Sequence, residues 1–168
     1  MRLLSLVCCL ALGSIAPALA QTATPAAPAA AKAKAKAGPA KGVRTVELVV
    51  GDNMKFNTTE IAAKPGEMLR VVLKNAGTMP KIAMGHNFVL LKLGVDQVEF
   101  NKAAFDARAT DFIPPSMKTA VIANTALSGP GESLETTFKV PAVTGSYPYL
   151  CSFPGHFALG MRGMLLVK

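Results

Sequence analysis

One stretch near the C-terminus, Tyr147–Met161, constrains the fold of this chain more than any other. It reads YPYLCSFPGHFALGM and holds Cys151, His156 and Met161 at intervals of five residues. The residues before Cys151 alternate like a strand, and so do those of Gly163–Val167 that follow. The three side chains are therefore predicted to lie in one hairpin loop. The fold must present three metal-binding groups from a single connection between two strands.

The chain has one further histidine, His86, which follows Gly85. A glycine lets the backbone approach closely, so the Gly85 carbonyl can face a metal. One thiolate, two imidazoles and a thioether form the ligand set of a blue-copper site. Zinc prefers four strong ligands, and a thioether is a poor one. The set predicts one copper held by His86, Cys151, His156 and Met161. Electron transfer is predicted rather than catalysis, because no further histidine or acid–base pair accompanies the set.

Residues 1–20 have the pattern of a secretory signal peptide. A basic start and a short apolar run lead to an Ala-Leu-Ala ending before Gln21. A retained membrane anchor is the alternative. Cleavage would remove Cys8 and Cys9, leaving Cys151 without an internal disulfide partner. Coordination by a metal would explain how a lone thiol survives in an oxidising compartment. We therefore expect an exported, periplasmic bacterial protein.

Residues 21–42 are rich in alanine, proline and lysine, a composition typical of a disordered linker. The whole chain carries a net charge of +8, but 43–168 holds 13 basic and 10 acidic residues, a net of +3. Alternating Lys-Ala without aromatic residues is a weak signal for nucleic acid, so that partner is discounted. The linker can be an inert spacer or dock on an acidic surface. Contact with a membrane is expected only through this lysine-rich tail.

Residues 43–168 are predicted to form one all-β domain. Short segments with a period of two, separated by Gly, Pro and Asn turns, indicate a β-sandwich or barrel. The predicted strands are 45–50, 68–74, 87–91, 119–123, 134–140, 147–151 and 163–167. One inserted helix is expected over Asp96–Ala107, opened by a D-x-x-E capping box, and a loop over 108–118.

Several motifs together resemble the azurin-like blue-copper proteins. They are MPKIAMGHNFVL (79–90), the Tyr147…Cys151-Ser-Phe-Pro-Gly-His156 segment and GDNMKFN (51–57). The resemblance spans roughly 45–168. It implies a Greek-key cupredoxin sandwich with a mononuclear type 1 copper that alternates between Cu(I) and Cu(II).

The resemblance also implies roles for individual residues. His86, Cys151 and His156 match the equatorial ligands, and Gly85 matches a weak backbone carbonyl contact. Asn87 matches a residue that joins the two ligand loops, and the Phe153 amide matches a donor to the thiolate sulfur; such bonds tune a metal site. Redox partner proteins would dock near His156, whose ring edge is expected to reach the surface. The implied docking patch consists of Met54, Met79, Pro80, Met84, Phe153, Pro154 and Phe157.

The chain departs from azurin in three respects. Four residues separate His156 from Met161 where azurin has three, a spacing similar to auracyanin and plastocyanin. Azurin's N-terminal disulfide has no counterpart, and Phe88 replaces a tryptophan. Met161 remains the expected axial ligand.

Three other functions stay open at this point. A periplasmic copper carrier or storage protein would need several exposed methionines or histidines in a flexible array. A multicopper oxidase or nitrite reductase domain would need additional histidines. A purely structural β-sandwich would bind no copper.

Overall fold

The structure, a computed structural model, describes residues 42–168. The predicted signal peptide (1–20) and the predicted linker as far as residue 41 lie outside the described residues and stay predictions. Within the described part, no helix is both long and apolar enough to cross a membrane.

Residues 42–168 form a sandwich of two β-sheets. The strands are β1 (Val43–Val50), β2 (Glu60–Ala63), β3 (Met68–Asn75), β4 (Val89–Leu91), β5 (Val121–Asn124), β6 (Ser133–Lys139), β7 (Gly145–Leu150) and β8 (Arg162–Val167). One sheet has the order β1-β3-β6 and the other β2-β8-β7-β4-β5. The β1–β3 and β2–β8 pairs are parallel, and the remaining pairs are antiparallel. The chain crosses repeatedly between the sheets, as in Greek-key sandwiches. The predicted all-β sandwich is confirmed.

The space between the sheets is filled by alternate residues of the facing strands. This inner core includes Leu48, Val50, Leu69, Val71, Leu73, Phe88, Leu90, Phe138, Tyr147, Tyr149, Leu165 and Val167. The period of two places these side chains on one face of each strand. Burial of one such large side chain contributes about 1.5–3 kcal/mol, so the sandwich rests mainly on this core.

Strand β4 is apolar on both faces because each face is covered. Phe88 and Leu90 point into the inner core, whereas Val89 and Leu91 belong to a second cluster. This outer cluster consists of Val89, Leu91, Phe100, Ile113, Leu150 and Phe157. Helix α2 (Gln97–Ala104) contributes Phe100, and the predicted metal loop contributes Phe157. The outer cluster therefore ties that loop to the body of the domain.

The inserted helix is shorter than the predicted Asp96–Ala107. Asp96 is its N-cap, since its carboxylate accepts bonds from the N–H groups of Val98 and Glu99 at 2.7 and 3.2 Å. The helix ends where the N–H of Phe105 bonds to the carbonyl of Lys102 and tightens the last turn.

The predicted loop over 108–118 contains two short 3-10 helices, Arg108–Thr110 and Pro115–Ala120, the second of which extends two residues beyond it. Pro115 suits the start of such a helix, because its missing N–H would have no partner there.

Two short elements have no counterpart in the sequence analysis. Strand β2 has four residues and forms the edge of its sheet by pairing with β8. Helix α1 (Lys81–Met84) is a single turn that follows Pro80. Elements of this length carry too little periodicity to be recognised.

We expect Gly163→Ala to destabilise the domain. A Cβ at Gly163 would clash with the ring of the fully buried Tyr149 and lie 2.5 Å from the Thr59 carbonyl. Overpacking of this kind typically lowers the free energy of unfolding by about 1–3 kcal/mol. Urea titration followed by circular dichroism measures the change. Gly51→Ala is the matched control, since its Cβ would meet its neighbours at ordinary distances of 3.5 Å or more. Equal stability of the two variants would contradict the packing described for β7 and β8.

Candidate metal centre

Three side chains with metal-binding atoms meet at one end of the sandwich, just before β4 and just after β7. One such atom each of His86, Cys151 and His156 lies within 4.8 Å of the other two. The Cys151 Sγ atom is 3.5 Å from His156 Nδ1, and the two imidazole centroids are 4.8 Å apart. His86 and Cys151 are fully buried, and His156 is 3% exposed. The structure thus brings together three predicted ligands that lie up to 70 positions apart in the sequence.

The loop after β7 holds its residues through backbone hydrogen bonds. The N–H of Cys151 donates to the carbonyl of Met161 at 3.1 Å, and the N–H of Met161 donates to the carbonyl of His156 at 3.0 Å. The N–H of His156 in turn donates to the carbonyl of Phe153 at 3.1 Å. Met161, the predicted fourth ligand, is fully buried. Its backbone is therefore fixed beside both Cys151 and His156.

Two glycines allow this loop to turn. Gly155 and Gly160 have φ values of +86° and +88°, a region that side chains other than glycine rarely adopt. The ammonium group of Lys55 donates to the carbonyl of Leu159 and fixes the second turn from outside. These contacts account for the four residues between His156 and Met161.

Gly85 is required by space rather than by backbone conformation. Its φ of −72° is open to any residue, but a Cβ there would lie 2.7 Å from both the Leu127 side chain and the Lys81 carbonyl. Gly85 is buried, so helix α1 and the segment around Leu127 close directly over it. The absence of a side chain lets the chain enter the site at His86.

The backbone of His86 is anchored to the segment after β5. Its N–H donates to the Ser128 carbonyl at 3.1 Å, and its carbonyl accepts from the Ser128 N–H at 2.7 Å and hydroxyl at 2.9 Å. Asn75 donates to the same Ser128 carbonyl at 3.3 Å. These contacts fix the position from which the imidazole enters the site.

Asn87 joins the two segments that carry the predicted ligands. Its Oδ1 accepts from the Ser152 N–H at 2.9 Å, and its Nδ2 donates to the Ser152 hydroxyl at 2.9 Å. The same Nδ2 donates to the Asp111 carbonyl at 2.9 Å. Because Ser152 follows Cys151, one fully buried amide sets the relation between His86 and the thiol.

Phe153 packs against the second imidazole. Its ring centroid is 4.7 Å from that of His156 and 5.1 Å from that of Phe112. Burial raises the pKa of Cys151 to about 11, and the backbone N–H groups of Asn87 and Phe153 act in the opposite direction by favouring the thiolate. Of these two amides, that of Phe153 was predicted to donate to the sulfur.

Both imidazoles are held in the neutral form. Burial, with a smaller contribution from His86, lowers the pKa of His156 to about 4. Burial also lowers the pKa of His86, although the Asp52 carboxylate and the Gly51 carbonyl partly offset the effect. A neutral imidazole has a free lone pair, which is the form that binds a metal. At neutral pH the site therefore offers two ready nitrogen ligands and a thiol that must lose its proton.

The donor set fits copper. Both ring nitrogens of His86 are buried without a hydrogen-bond partner in the described structure, and a coordinate bond to a metal would engage one of them. No carboxylate belongs to this cluster of metal-binding side chains within 42–168. Imidazole, thiolate and thioether suit copper, whereas calcium and magnesium prefer oxygen.

Comparison with known proteins identifies the family. The family model "Copper binding proteins, plastocyanin/azurin family" matches residues 44–168. The chain belongs to this family. The predicted resemblance is confirmed, and so are copper as the cofactor and blue-copper electron transfer as the function.

Individual relatives agree with the family. The chain is 39% identical over 117 residues to Azurin-2 from Alcaligenes xylosoxydans xylosoxydans, covering 68% of this chain and 89% of that protein. It is 39% identical over 110 residues to Outer membrane protein H.8 from Neisseria meningitidis serogroup B, covering 64% of this chain and 59% of that protein. The crystal structure of dithionite-reduced auracyanin from Roseiflexus castenholzii superposes with a TM-score of 0.66 at 35% identity, covering 74% of this chain and 96% of that one. Members of this plastocyanin/azurin family are generally electron carriers that serve redox partner proteins.

The surface of this family member differs from the expected docking patch in three aromatic residues. His156 was expected to present a ring edge but is almost wholly covered, because Phe153 stacks on its ring. Phe153 and Phe157 are themselves only 8% and 7% exposed, since they pack against Phe112 and in the outer cluster respectively. The exposed and half-exposed members are Met54, Met79, Pro80, Met84 and Pro154.

Three supporting residues were missed by the sequence analysis. Ser128 and Ser152 act through contacts between distant segments, for which an ordinary serine gives no sequence signal. Asp52 accepts bonds from the Thr78 N–H and hydroxyl and from the Met79 N–H, and so holds the chain that leads to α1. The turn signal Gly51-Asp52-Asn53 was recognised, but not its partner.

We expect copper uptake to release one proton per metal ion at pH 8. With the thiol pKa near 11 and both imidazole pKa values lowered, the metal-free site holds one proton, on Cys151. Binding requires the thiolate, so copper affinity should rise about tenfold per pH unit between roughly pH 7 and 10. Titration calorimetry in buffers of different ionisation enthalpy measures the release. Cys151→Ser should release no proton, and zero release by the unaltered chain would contradict the burial argument.

Proposed function

We propose that this chain is an exported one-electron carrier whose copper is held by His86, Cys151 and His156, with Met161 as the axial ligand. The observation that carries the proposal is the convergence of two neutral imidazoles and one thiol in a buried cluster. When bound, copper supplies a one-electron redox couple between Cu(I) and Cu(II). The fully buried Met161, fixed by its backbone beside Cys151, completes the set.

Hydrogen bonds from the surrounding residues hold this geometry. Asn87 joins the two ligand segments, and the hydrogen bonds around Ser128 fix the entry of His86. The buried N–H groups of Asn87 and Phe153 stabilise negative charge on sulfur, which is one means of setting a reduction potential. Gly85, with its backbone closed in at the edge of the site, is proposed as a weak carbonyl contact.

We propose that this family member is a carrier of electrons and not an enzyme. Catalytic copper sites need an open coordination position, but the ligand cluster is buried and compactly enclosed. A copper carrier or storage protein is the alternative. Buried ligands held between β4, β7 and β8 argue against rapid release of the metal, since release would need the loop after β7 to open.

The docking surface is proposed to surround the covered edge of His156. Met79 is 42% exposed, and Pro80, Met84 and Pro154 lie in the two segments that lead into the site. An open groove of about 690 Å³ is lined by Phe153 and Pro154 together with Ile82, Phe105 and Arg108. Exposed apolar surface of this kind favours short-lived partner contacts.

The location is proposed to be the periplasm. The signal-peptide pattern of residues 1–20 supports export, and one relative is named an outer membrane protein. A buried, metal-bound Cys151 is also protected from oxidation in such a compartment.

The metal assignment is tested by spectroscopy of the copper-loaded protein. We expect an intense visible charge-transfer band from the Cys151 thiolate and a compressed copper hyperfine splitting, both lost in Cys151→Ser. Met161→Leu should keep the colour and raise the reduction potential, because a weak axial ligand tunes the site without holding it. A cooperative unfolding transition of each metal-free variant shows that the variant is folded. Ordinary tetragonal copper signals, or fast transfer of Cu(I) to a chelator, would contradict the electron-transfer proposal and favour a copper carrier.

The docking surface is tested with two exposed methionines. Met79→Lys should slow electron self-exchange at least tenfold, because it places like charges where two copies meet. Met68→Lys is the matched control, since Met68 is 38% exposed but lies at the other end of the sandwich. Nuclear magnetic resonance line broadening in mixed oxidation states gives the rate, and the visible spectrum should stay unchanged. Equal rates in both variants would place the docking surface elsewhere.

A further inference from the structure

The end of the sandwich opposite the metal centre is defined by strand register. Leu150 pairs with Arg162 beside the metal loop, whereas Gly145 pairs with Val167 at the far end of the same two strands. In the other sheet, Met68 pairs with both Val43 and Lys139 at that far end.

This far end carries a concentration of positive charge. Five basic residues lie at strand ends or in turns there, and we call them the basic end: Arg44, Lys64, Lys92, Lys139 and Lys168. All five are exposed, and the acidic residues of the same region are Glu67 and Asp96. The basic end is therefore net +3, which equals the net charge of residues 43–168. Everywhere else in 43–168, eight basic and eight acidic residues balance.

The basic residues are close enough to act together. Arg44, Lys64 and Lys168 line one open groove of about 420 Å³. The N–H of Lys168 donates to the Ala63 carbonyl at 3.0 Å, which brings the C-terminal residue beside Lys64. Glu67 pairs with Arg44 at 2.6 Å and neutralises that one charge. The lysines of the basic end have no ion-pair partner within the described residues.

Apolar side chains project among these charges. Val143 is 62% exposed, Leu93 48% and Met68 38%. Leu93 packs against the start of β7, since a Cβ at Gly145 would lie 3.1 Å from its side chain, and Val143 precedes Gly145 by two residues in the sequence. Lysines around exposed aliphatic tips form the pattern of a surface that rests in a lipid headgroup layer.

A lysine-rich segment precedes the domain in the sequence. Lys32, Lys34, Lys36 and Lys41 come before Val43, the first residue of β1. Val43 itself pairs with Met68 at the basic end.

We propose that the basic end binds an anionic phospholipid surface and leaves the metal end facing away from it. Four of the five folded cations are lysines, which act as point charges on phosphate without requiring a shaped partner. Several lysines near an anionic surface each add to the attraction, and salt screens it. The aliphatic tips supply the apolar contact that a soluble acidic protein would not need.

The test measures co-sedimentation of the copper-loaded protein, purified after export by its expression host, with lipid vesicles. Vesicles of phosphatidylcholine with about one third phosphatidylglycerol are compared with pure phosphatidylcholine at low and high salt. We expect binding only to the anionic vesicles, weakened at least tenfold by high salt. A combined Lys64→Gln, Lys139→Gln and Lys168→Gln variant should bind about tenfold more weakly or worse. Leu93→Ser with Val143→Ser should reduce the binding that survives high salt.

The matched control removes three charges elsewhere, as Lys74→Gln, Lys81→Gln and Lys102→Gln, and should change binding less than twofold. Retention of the visible spectrum shows that each variant is folded. If both triple variants lose vesicle binding equally, binding depends only on net charge and not on the basic end, which would overturn the proposal. So would binding that depends on the lysine-rich segment alone, with Lys32, Lys34, Lys36 and Lys41 changed to Gln, or no binding to anionic vesicles at low salt.

Discussion

The register between β4 and β7 is the constraint on which the metal centre depends. Val89 opposite Leu150 places His86 and Asn87 next to Cys151 and Ser152, and it turns Cys151 toward the inner core. A slip of one residue would turn the thiol to the outer face, because side chains alternate along a strand. The Asn87 amide fixes this register at the strand ends, where the ladder stops. The same pairing leaves β4 with one face on the inner core and the other on the outer cluster. The packing of α2 and the arrangement of the metal centre therefore both depend on this register.

The sequence was sufficient for most of the fold, since long strands such as β1 and β3 show a clear period of two. It also singled out His86, Cys151 and His156, which meet in the buried cluster, because the chain has only two histidines and residues 43–168 have one cysteine. Short elements such as β2 and α1 could not be predicted, since their existence depends on pairing and packing with distant residues. Residues that support the site, such as Ser128, could not be predicted for the same reason. The exposure of His156 was misjudged because stacking by Phe153 is a tertiary event that spacing does not encode.

The site combines groups that are individually unfavourable to bury. Two imidazoles lose solvation, and both nitrogens of His86 lack partners, yet the backbone around them is fully engaged with Ser128 and the loop after β7. Their lowered pKa values follow from the same burial that excludes water. Burial of apolar side chains in the two hydrophobic clusters thus offsets the cost of burying these polar ligands.

Phe157 lies in the sequence between His156 and Met161, yet its ring belongs to the outer cluster with Phe100 of α2. The guanidinium of Arg162 lies over that ring, 5.1 Å from its centroid. The middle of the ligand loop is thereby fastened to the outer face of the sheet, while its two ends are fastened to the inner core. Such a loop has little freedom to change shape when the charge of the centre changes by one. The reorganisation energy of electron transfer should then be small, so that distance and driving force, rather than nuclear motion, set the speed of each transfer.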